Sequence, residues 1–271
     1  MKAKDAIIFS DMDGTLLSDW SLGPYVPAAN LEAIKRFISE GGLFSIASGR
    51  QFRDTVEFLG GIKFSVPMVQ DNGSVLYDSI NDVVLEKIPF PEAAKLECLE
   101  YSRRNRGVRL IAADEDKLYQ VVVGGASGEP LLRDLTRTPI SEEQYLSLES
   151  VKVCFVVLDE ADVPSVYSDI IKFKCSDKLV LMQSSPVFLE MLDKNAGKAA
   201  GIKKAVVRAG AEGRKLICIG DYDNDCDMLK LADISACPFN SSPRVLEMAD
   251  IVTCGNNEGA IADLINRLGE L

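Results

Sequence analysis

Two carboxylates one residue apart follow a short apolar run near the N-terminus. Residues 7–9 are typical of a buried strand, and Asp11 and Asp13 come at its end, immediately before Gly14. In extended backbone, residues i and i+2 share a face, so both carboxylates would point the same way. A divalent cation could neutralise the pair while one carboxylate attacks an electrophile and the other moves protons. Asp-x-Asp-Gly is also common turn chemistry, and alone it leaves a turn and a site equally open.

A second acidic segment follows the apolar residues 216–219. Residues 220–228 have the sequence Gly-Asp-Tyr-Asp-Asn-Asp-Cys-Asp-Met, which includes Asp221 and Asp225. A calcium loop would need glycine at its sixth position and an acid at its twelfth, where Cys226 and Ala232 stand. A metal-binding turn and a solvated acidic turn both stay open.

A hydroxyl and a cation complete the set of candidate residues. Ser48 ends the apolar residues 43–47, and Lys198 lies at the start of a predicted helix over residues 197–209. A positive charge at a helix start is unfavourable because it opposes the helix dipole. Its placement there is explained if Lys198 and the helix N-terminus both face a bound anion. An ordinary exposed lysine is the alternative. Because ligands of open parallel α/β sheets lie at the carboxyl ends of strands, we expect these segments to meet.

Composition narrows the chemistry. The chain has no histidine, which excludes His-dependent triads, His-ligated zinc and histidine general bases. Its net charge is −11, from 30 Lys and Arg against 41 Asp and Glu, which argues against nucleic-acid and anionic-membrane partners. Seven scattered cysteines without a C-x-x-C pair favour core packing in a reducing compartment.

The expected environment is the cytoplasm. No apolar run approaches the roughly 20 residues of a membrane span, and the N-terminus lacks the apolar stretch of a signal peptide. A small phosphorylated molecule fits as the partner if a local cation or metal attracts it. We expect a monomer or a weak homo-oligomer.

Strands and helices alternate on both sides of a segment with a different pattern. Strand, helix, strand over residues 7–10, 31–38 and 43–47 predicts a right-handed parallel unit. The parallel pattern resumes from about Pro186. We therefore predict an α/β fold: a doubly wound, Rossmann-like parallel core over residues 1–84 and 185–271, with an α+β insertion over residues 85–184.

In order and spacing, these motifs resemble the four motifs of the haloacid dehalogenase superfamily of phosphohydrolases. They are residues 11–15 (Asp-Met-Asp-Gly-Thr), residues 48–50 (Ser-Gly-Arg), Lys198 and residues 220–225. The insertion between the second and third motifs, with residues 71–73 (Asp-Asn-Gly), resembles the capped Cof-type branch, class IIB. Members of that branch mostly hydrolyse phosphate esters of sugars and small metabolites. The resemblance spans the core and is weak inside the insertion.

The resemblance implies a Mg²⁺-dependent phosphatase with unequal roles for the first two carboxylates. Asp11 would take the phosphoryl group as an aspartyl-phosphate, and Asp13 would protonate the leaving alcohol and then activate water. Magnesium would be held by Asp11, the Asp13 backbone carbonyl and Asp221, with Asp225 bound directly or through water.

It also implies a cradle for the phosphoryl group, with the insertion closing over the substrate as a cap. Ser48, Lys198 and Asn224 would hold the phosphoryl oxygens. The other residues expected on the phosphate or substrate side are Gly49, Arg50 and Asn72.

Some features leave alternatives open. The family commonly carries Met-Gly-Asn-Ala after the fourth motif, whereas residues 237–241 are Cys-Pro-Phe-Asn-Ser, with Asn240 in register. In the insertion, four arginines within residues 103–109 could form an exposed helix end or an anion clamp.

A phosphomutase or phosphotransferase would use the same aspartyl-phosphate. A phospho-accepting signalling or binding protein is disfavoured, because it needs no second carboxylate two residues on.

Overall fold

A computed structural model of the chain describes residues 1–19, 21, 23–125 and 137–269. The chain divides into two compact units, each described by itself below. The core unit comprises Met1–Glu86 and Lys198–Leu271, and the insertion unit comprises Lys87–Gly197.

The described elements alternate in the core unit and follow a different order in the insertion. The first segment contains β1 (Ala6–Ser10), α1 (Ala28–Ser39), β2 (Leu43–Ile46), α2 (Phe52–Val56), β3 (Met68–Gln70), β4 (Val75–Asp78) and β5 (Val83–Lys87). The insertion contains α3 (Glu92–Arg104), β6 (Val108–Ala113), β7 (Leu118–Val122), β8 (Thr138–Ser141), α4 (Glu142–Ser147), β9 (Lys152–Val157), α5 (Val163–Ile170), β10 (Leu179–Ser185) and β11 (Phe188–Asp193). The last segment contains α6 (Lys198–Arg208), β12 (Lys215–Ile219), α7 (Cys226–Leu231), β13 (Ile234–Pro238), α8 (Pro243–Met248), β14 (Ile251–Thr253) and α9 (Ala260–Leu268).

The core unit is built on a parallel sheet in the order β14-β13-β12-β1-β2. Strand β1 lies inside this sheet and is buried along its whole length. Its side chains alternate between two apolar layers: Ile8 packs with residues of α1 and α9, whereas Ile7 and Phe9 pack with residues of α6, α7 and α8. Helices therefore cover both faces, which confirms the predicted doubly wound α/β core.

Parallel pairing brings the candidate residues to one edge of the sheet. Strand β1 pairs with both β2 and β12, so the carboxyl ends of these three strands are neighbours. A parallel bridge between Ala47 and Val69 places β3 beyond β2. The turn after β3 is left-handed at two consecutive residues, Asp71 (φ 49°) and Asn72 (φ 52°), and it leads into the antiparallel sheet β3-β4-β5.

The insertion unit has a sheet of its own in the order β10-β11-β9-β6-β7-β8. All of its pairs are antiparallel except β7 with β8. One face packs against α3, α4 and α5 in an apolar core that includes Leu99, Tyr145 and Phe155. This sheet confirms the predicted α+β character of the insertion.

The chain returns to the parallel core later than the sequence pattern predicts. The expected boundary at residues 184 and 185 falls at the end of β10, and residues 188–193 form β11, which is antiparallel to β9 and β10. Leu189 and Met191 of β11 are buried in the core of the insertion unit. The insertion unit therefore extends to Gly197. The sequence pattern did not show this because an apolar strand looks the same in either sheet.

The cysteines were expected to pack in the core without forming disulfides. All seven are free, and six of them are buried while Cys254 is half-buried. None of the described helices is long and apolar enough to cross a membrane.

Candidate active site

Asp11 occupies the carboxyl end of β1 and is almost fully buried. Its backbone N–H donates to the carbonyl of Ile219 at 2.9 Å, which continues the pairing with β12. The chain then turns sharply through Gly14, whose φ of 75° favours glycine. A Cβ on Gly14 would collide with the carboxylate of Asp221. Glycine therefore lets the two acidic strand ends approach each other.

Three carboxylates converge at this edge of the sheet. One oxygen each from Asp11, Asp221 and Asp225 lies within 4.8 Å of the others. The Thr15 hydroxyl donates to Asp221 Oδ1 at 2.8 Å. Asp225 Oδ2 accepts the N–H groups of Asp221 at 2.9 Å and Tyr222 at 3.2 Å, so its side chain is fixed by its own turn.

Lys198 inserts its ammonium group between two of these carboxylates. Lys198 Nζ donates to Asp11 Oδ1 at 2.7 Å and to Asp225 Oδ1 at 2.5 Å. The side chain is completely buried, although it belongs to the first residue of α6. The alternative of an ordinary exposed lysine is therefore wrong.

Burial and mutual repulsion act on the ionisation of the cluster. Burial, together with repulsion from Asp225 and Asp13, outweighs the attraction of Lys198 and raises the pKa of Asp11 to about 7. Burial, with repulsion from Asp11 and Asp225, raises the pKa of Asp221 well above its ordinary value. Burial disfavours a charged Lys198, but the two carboxylates around it raise the pKa of Lys198 overall. The site carries more negative charge than one ammonium group can balance.

The cluster fits a divalent cation. Three carboxylates against one ammonium leave a formal charge of −2 when all four groups are ionised. All donors are hard carboxylate oxygens, which suits Mg²⁺ better than the soft or nitrogen-binding transition metals. The donor chemistry and the charge excess therefore agree with a magnesium-type site.

The side chain of Asp13 points to a different partner. Its two oxygens accept hydrogen bonds from Arg50 Nε and Nη2, each at 2.7 Å. The side chain of Arg50 is 14% exposed and that of Asp13 is 42% exposed. The carboxylate of Asp13 is thus outside the three-carboxylate cluster and inside a bidentate ion pair.

The other polar candidates gather at the ends of β2 and β3. Ser48 N donates to the Val69 carbonyl, and Asn72 N donates to the Ser48 carbonyl, each at 2.9 Å. A Cβ on Gly49 would lie 3.0 Å from Asn72 Nδ2, so the Asn72 side chain lies directly beside Gly49. Asn224 Nδ2 approaches Asn72 Oδ1 at 3.4 Å. The backbone and amide contacts therefore connect Ser48, Gly49, Asn72 and Asn224.

Sequence reasoning did not assign roles to several residues that support the site. Thr15 orients Asp221, and Asp227 accepts the Ala199 N–H at 3.1 Å beside Lys198. Asn240 Nδ2 donates to the Gly14 carbonyl at 2.9 Å. Thr15 and Asp227 lie within the two acidic motifs, and Asn240 aligns with the asparagine of the family's Met-Gly-Asn-Ala stretch. The sequence therefore indicated that these residues lie near the site, but it did not show which groups they contact.

A comparison of the whole sequence with protein families agrees with this geometry. Residues 8–265 match the family of haloacid dehalogenase-like hydrolases. The chain belongs to this family. The match confirms the resemblance drawn from the motifs, and the enzyme class expected with it, a haloacid dehalogenase-type phosphoric monoester hydrolase.

Individual relatives of this haloacid dehalogenase-like hydrolase cover most of the chain. The 5-amino-6-(5-phospho-D-ribitylamino)uracil phosphatase YcsE of Bacillus subtilis is 26% identical over 259 residues, which cover 96% of this chain and 94% of that protein. The chloroplastic endoribonuclease YBEY of Arabidopsis thaliana is 27% identical over 285 residues, which cover 98% of this chain and 47% of that protein. The chain spans about half the length of the latter relative, so the ribonuclease activity in that name is not transferred to it.

A solved structure confirms the fold. A haloacid dehalogenase-like hydrolase from B. subtilis superposes with a TM-score of 0.82 at 18% identity, covering 99% of this chain and 100% of that one. At this identity the likeness concerns the fold.

Proposed function

We propose that the chain is a Mg²⁺-dependent phosphatase that hydrolyses small phosphorylated metabolites through an aspartyl-phosphate on Asp11. The observation that carries the proposal is the contact of Lys198 with Asp11 inside a buried cluster of three carboxylates. A nucleophilic carboxylate needs a fixed position and a cation beside the phosphoryl oxygens, and this arrangement supplies both. The phosphatase relatives support the same reaction class.

In the first step, an oxygen of Asp11 attacks phosphorus and the bond between phosphorus and the alcohol oxygen breaks. Asp13 donates the proton that the departing oxygen takes up. In the second step, a water molecule attacks the phosphorus and Asp13 receives its proton. The bond to Asp11 then breaks, which releases inorganic phosphate and restores both side chains.

The metal would be held by the carboxylates of Asp11 and Asp221, together with the Asp13 backbone carbonyl. When bound, Mg²⁺ would supply charge that draws the phosphoryl group onto the cluster and offsets its developing negative charge. Both oxygens of Asp225 already accept hydrogen bonds from Lys198 or backbone N–H groups. This supports a role for Asp225 that acts through a bound water.

Residues around Asp11 would hold the phosphoryl oxygens. Lys198 provides a buried positive charge beside Asp11. Ser48 contributes its hydroxyl from the end of β2 and Asn224 its amide from the turn after β12. Asn72 contacts both of these residues and lies beside Gly49. Donors placed before the reaction stabilise the transition state without reorganisation.

The test is a panel of phosphate monoesters assayed for phosphate release with Mg²⁺ and with a chelator. We expect release from at least one small ester with Mg²⁺, and loss of that activity in Asp11→Asn. Asp5→Asn is the matched control, because Asp5 is exposed just before β1. Turnover that survives both chelation and Asp11→Asn would overturn the mechanism. Transfer of phosphate to a sugar acceptor instead of water would replace the phosphatase with a phosphotransferase.

A further inference from the structure

The insertion unit contains a buried guanidinium group that has no counter-ion among the described residues. Nε, Nη1 and Nη2 of Arg137 are all shielded from solvent, and within the described residues none of them has a hydrogen-bond partner. A buried charge without a partner costs considerable free energy, so proteins pair such groups or use them to bind ligands.

Arg137 lies over an aromatic ring on the second face of the insertion-unit sheet. We define the second face by Ile111, Cys154, Val156 and Phe188, which form an apolar cluster separate from the one that packs on the helices. Arg137 Cζ lies 5.9 Å from the centre of the Phe188 ring. A ring face at this distance favours a cation but accepts no strong hydrogen bond, so all five N–H donors stay available.

A second arginine shares this face. Arg109 pairs with Val156, and Val156 pairs with Phe188, so these three residues form one row across β6, β9 and β11. Arg109 Nη1 donates to the backbone carbonyls of Arg106 and Val108, at 3.1 and 3.3 Å. Two positive side chains therefore lie on or over one row of the sheet, at positions two strands apart, which is roughly 10 Å.

The acid on the same face is already neutralised. Glu190 forms an ion pair with Lys152 at 3.1 Å and accepts the Ser184 hydroxyl at 2.7 Å. Burial lowers the pKa of Arg137 and outweighs an opposing effect from Cys154, and an arginine stays charged despite such a shift. Among the described residues of the second face, Arg109 and Arg137 therefore add positive charge beyond the neutral pair of Lys152 and Glu190.

Two of the four arginines clustered within residues 103–109 form ion pairs on the surface of the insertion unit. Arg104 pairs with Glu100 at 3.2 Å, and Arg103 pairs with Glu142. Both have a counter-ion on the helix-bearing side of the unit, so these two of the four arginines within residues 103–109 form surface ion pairs and not an anion clamp. The sequence pattern did not single out Arg137, whose three guanidinium nitrogens have no hydrogen-bond partner among the described residues.

We propose that Arg137, over Phe188 in the row of the sheet that also contains Arg109, forms a binding site for an oxyanion, a carboxylate or phosphate group of a small ligand. A planar guanidinium binds both oxygens of such a group in a bidentate manner. The low polarity around Phe188 and Val156 strengthens that interaction. The proposal rests on residues of the insertion unit alone and does not depend on the proposed phosphatase activity.

The test compares the full-length wild type with Arg137→Met, Arg137→Lys and the matched control Arg104→Met. Thermal unfolding and calorimetric titration are measured with sodium sulfate and sodium malonate, against sodium chloride at equal ionic strength. Without these anions, we expect Arg137→Met to unfold at a higher temperature than the wild type, because it removes an unpaired buried charge. With them, we expect anion binding to weaken about tenfold or more in Arg137→Met and to stay unchanged in Arg104→Met.

Arg137→Lys distinguishes ligand binding from a structural role. A lysine keeps the charge but loses the planar fork, so this variant should retain part of the anion response. If Arg137→Met unfolds at a lower temperature and responds to sulfate and malonate like the wild type, Arg137 is structural and the proposal fails. If the panel of esters shows no hydrolysis, the proposed function fails while the anion titration still decides this site.

Steady-state kinetics on the esters that the protein hydrolyses show whether the bound oxyanion belongs to the substrate or to a separate ligand. If it belongs to the substrate, Arg137→Met raises KM for esters with a second anionic group and not for esters without one. If it belongs to a separate ligand, the KM values of both ester classes stay unchanged while the anion response is lost. Both results support the site, and they assign it to different ligands.

Discussion

Arg50 holds the carboxylate of Asp13 in a bidentate ion pair, with both N···O distances at 2.7 Å. The residues are 37 positions apart, at the ends of neighbouring strands β1 and β2. The carboxylate that we propose to move protons is therefore paired with Arg50 and is not one of the three carboxylates of the metal-type cluster. This separates the two members of the Asp-x-Asp pair: Asp11 contacts Lys198, and Asp13 contacts Arg50.

Replacing Arg50 by methionine should impair proton transfer more than phosphoryl binding. Without the guanidinium, the Asp13 side chain loses its fixed position, and misplacing a catalytic group costs about 10²-fold in rate. We expect kcat to fall by this order for alkyl phosphates. The fall should be smaller for p-nitrophenyl phosphate, whose leaving group needs little protonation.

Arg53→Met is the control for this experiment, because Arg53 is exposed and lies over the Phe52 ring. Steady-state kinetics on both ester types check the prediction. Equal losses on the two types, or a loss in KM alone, would show that Arg50 serves the substrate and not Asp13.

Replacing Lys198 by methionine should remove activity and destabilise the metal-free protein. The change leaves Asp11 and Asp225 buried without the cation between them, and removing one partner of a buried ion pair typically costs about 3–5 kcal/mol. Mg²⁺ should restore part of this free energy of unfolding, because it neutralises the same carboxylates. Urea unfolding with and without Mg²⁺ measures both effects.

The control is Lys203→Met, an exposed position on the same helix. Its unfolding free energy and its Mg²⁺ response should match the wild type. If metal-free Lys198→Met were as stable as the wild type, the charge balance proposed for the cluster would be wrong.

Gly14→Ala should displace Asp221 and weaken metal binding. The new Cβ would collide with the Asp221 carboxylate, and the φ of 75° adds backbone strain of about 1 kcal/mol. We expect the Mg²⁺ concentration for half-maximal phosphate release to rise at least about tenfold, which corresponds to about 1.4 kcal/mol.

Gly23→Ala separates strain from collision. Gly23 has the same φ of 75°, but a Cβ there would meet nothing within 4 Å. This variant should lose a similar amount of stability and keep its Mg²⁺ dependence. A similar rise in the Mg²⁺ requirement for both variants would trace the effect to strain and not to Asp221.

Local sequence and the rules of parallel sheets were sufficient to predict which strand ends meet at one edge of the core sheet. The apolar runs before Asp11, Ser48 and Asp221 predicted strands, and strand–helix–strand alternation predicted that their carboxyl ends meet. The register of β1 with β2 and β12 shows the same arrangement. Such predictions succeed because strand burial and right-handed crossovers depend on residue type and spacing along the chain.

The end of the insertion could not be predicted in this way. The apolar alternation of residues 188–193 fits a strand of either sheet, and only its pairing with β9 and β10 assigns it to the insertion unit. Pairing depends on which partner strand lies alongside, and that information is not local.

The sequence alone determined the residue types available for chemistry: carboxylates, lysine and hydroxyls at strand ends, without histidine. Only the tertiary structure decided their partners. Lys198 is buried between Asp11 and Asp225, and Asp13 pairs with Arg50. Arg137 lies over Phe188 with no hydrogen-bond partner in the described part of the chain. The physical reason is that a side chain's direction and burial depend on backbone turns and on neighbours distant in the sequence, which residue spacing does not specify.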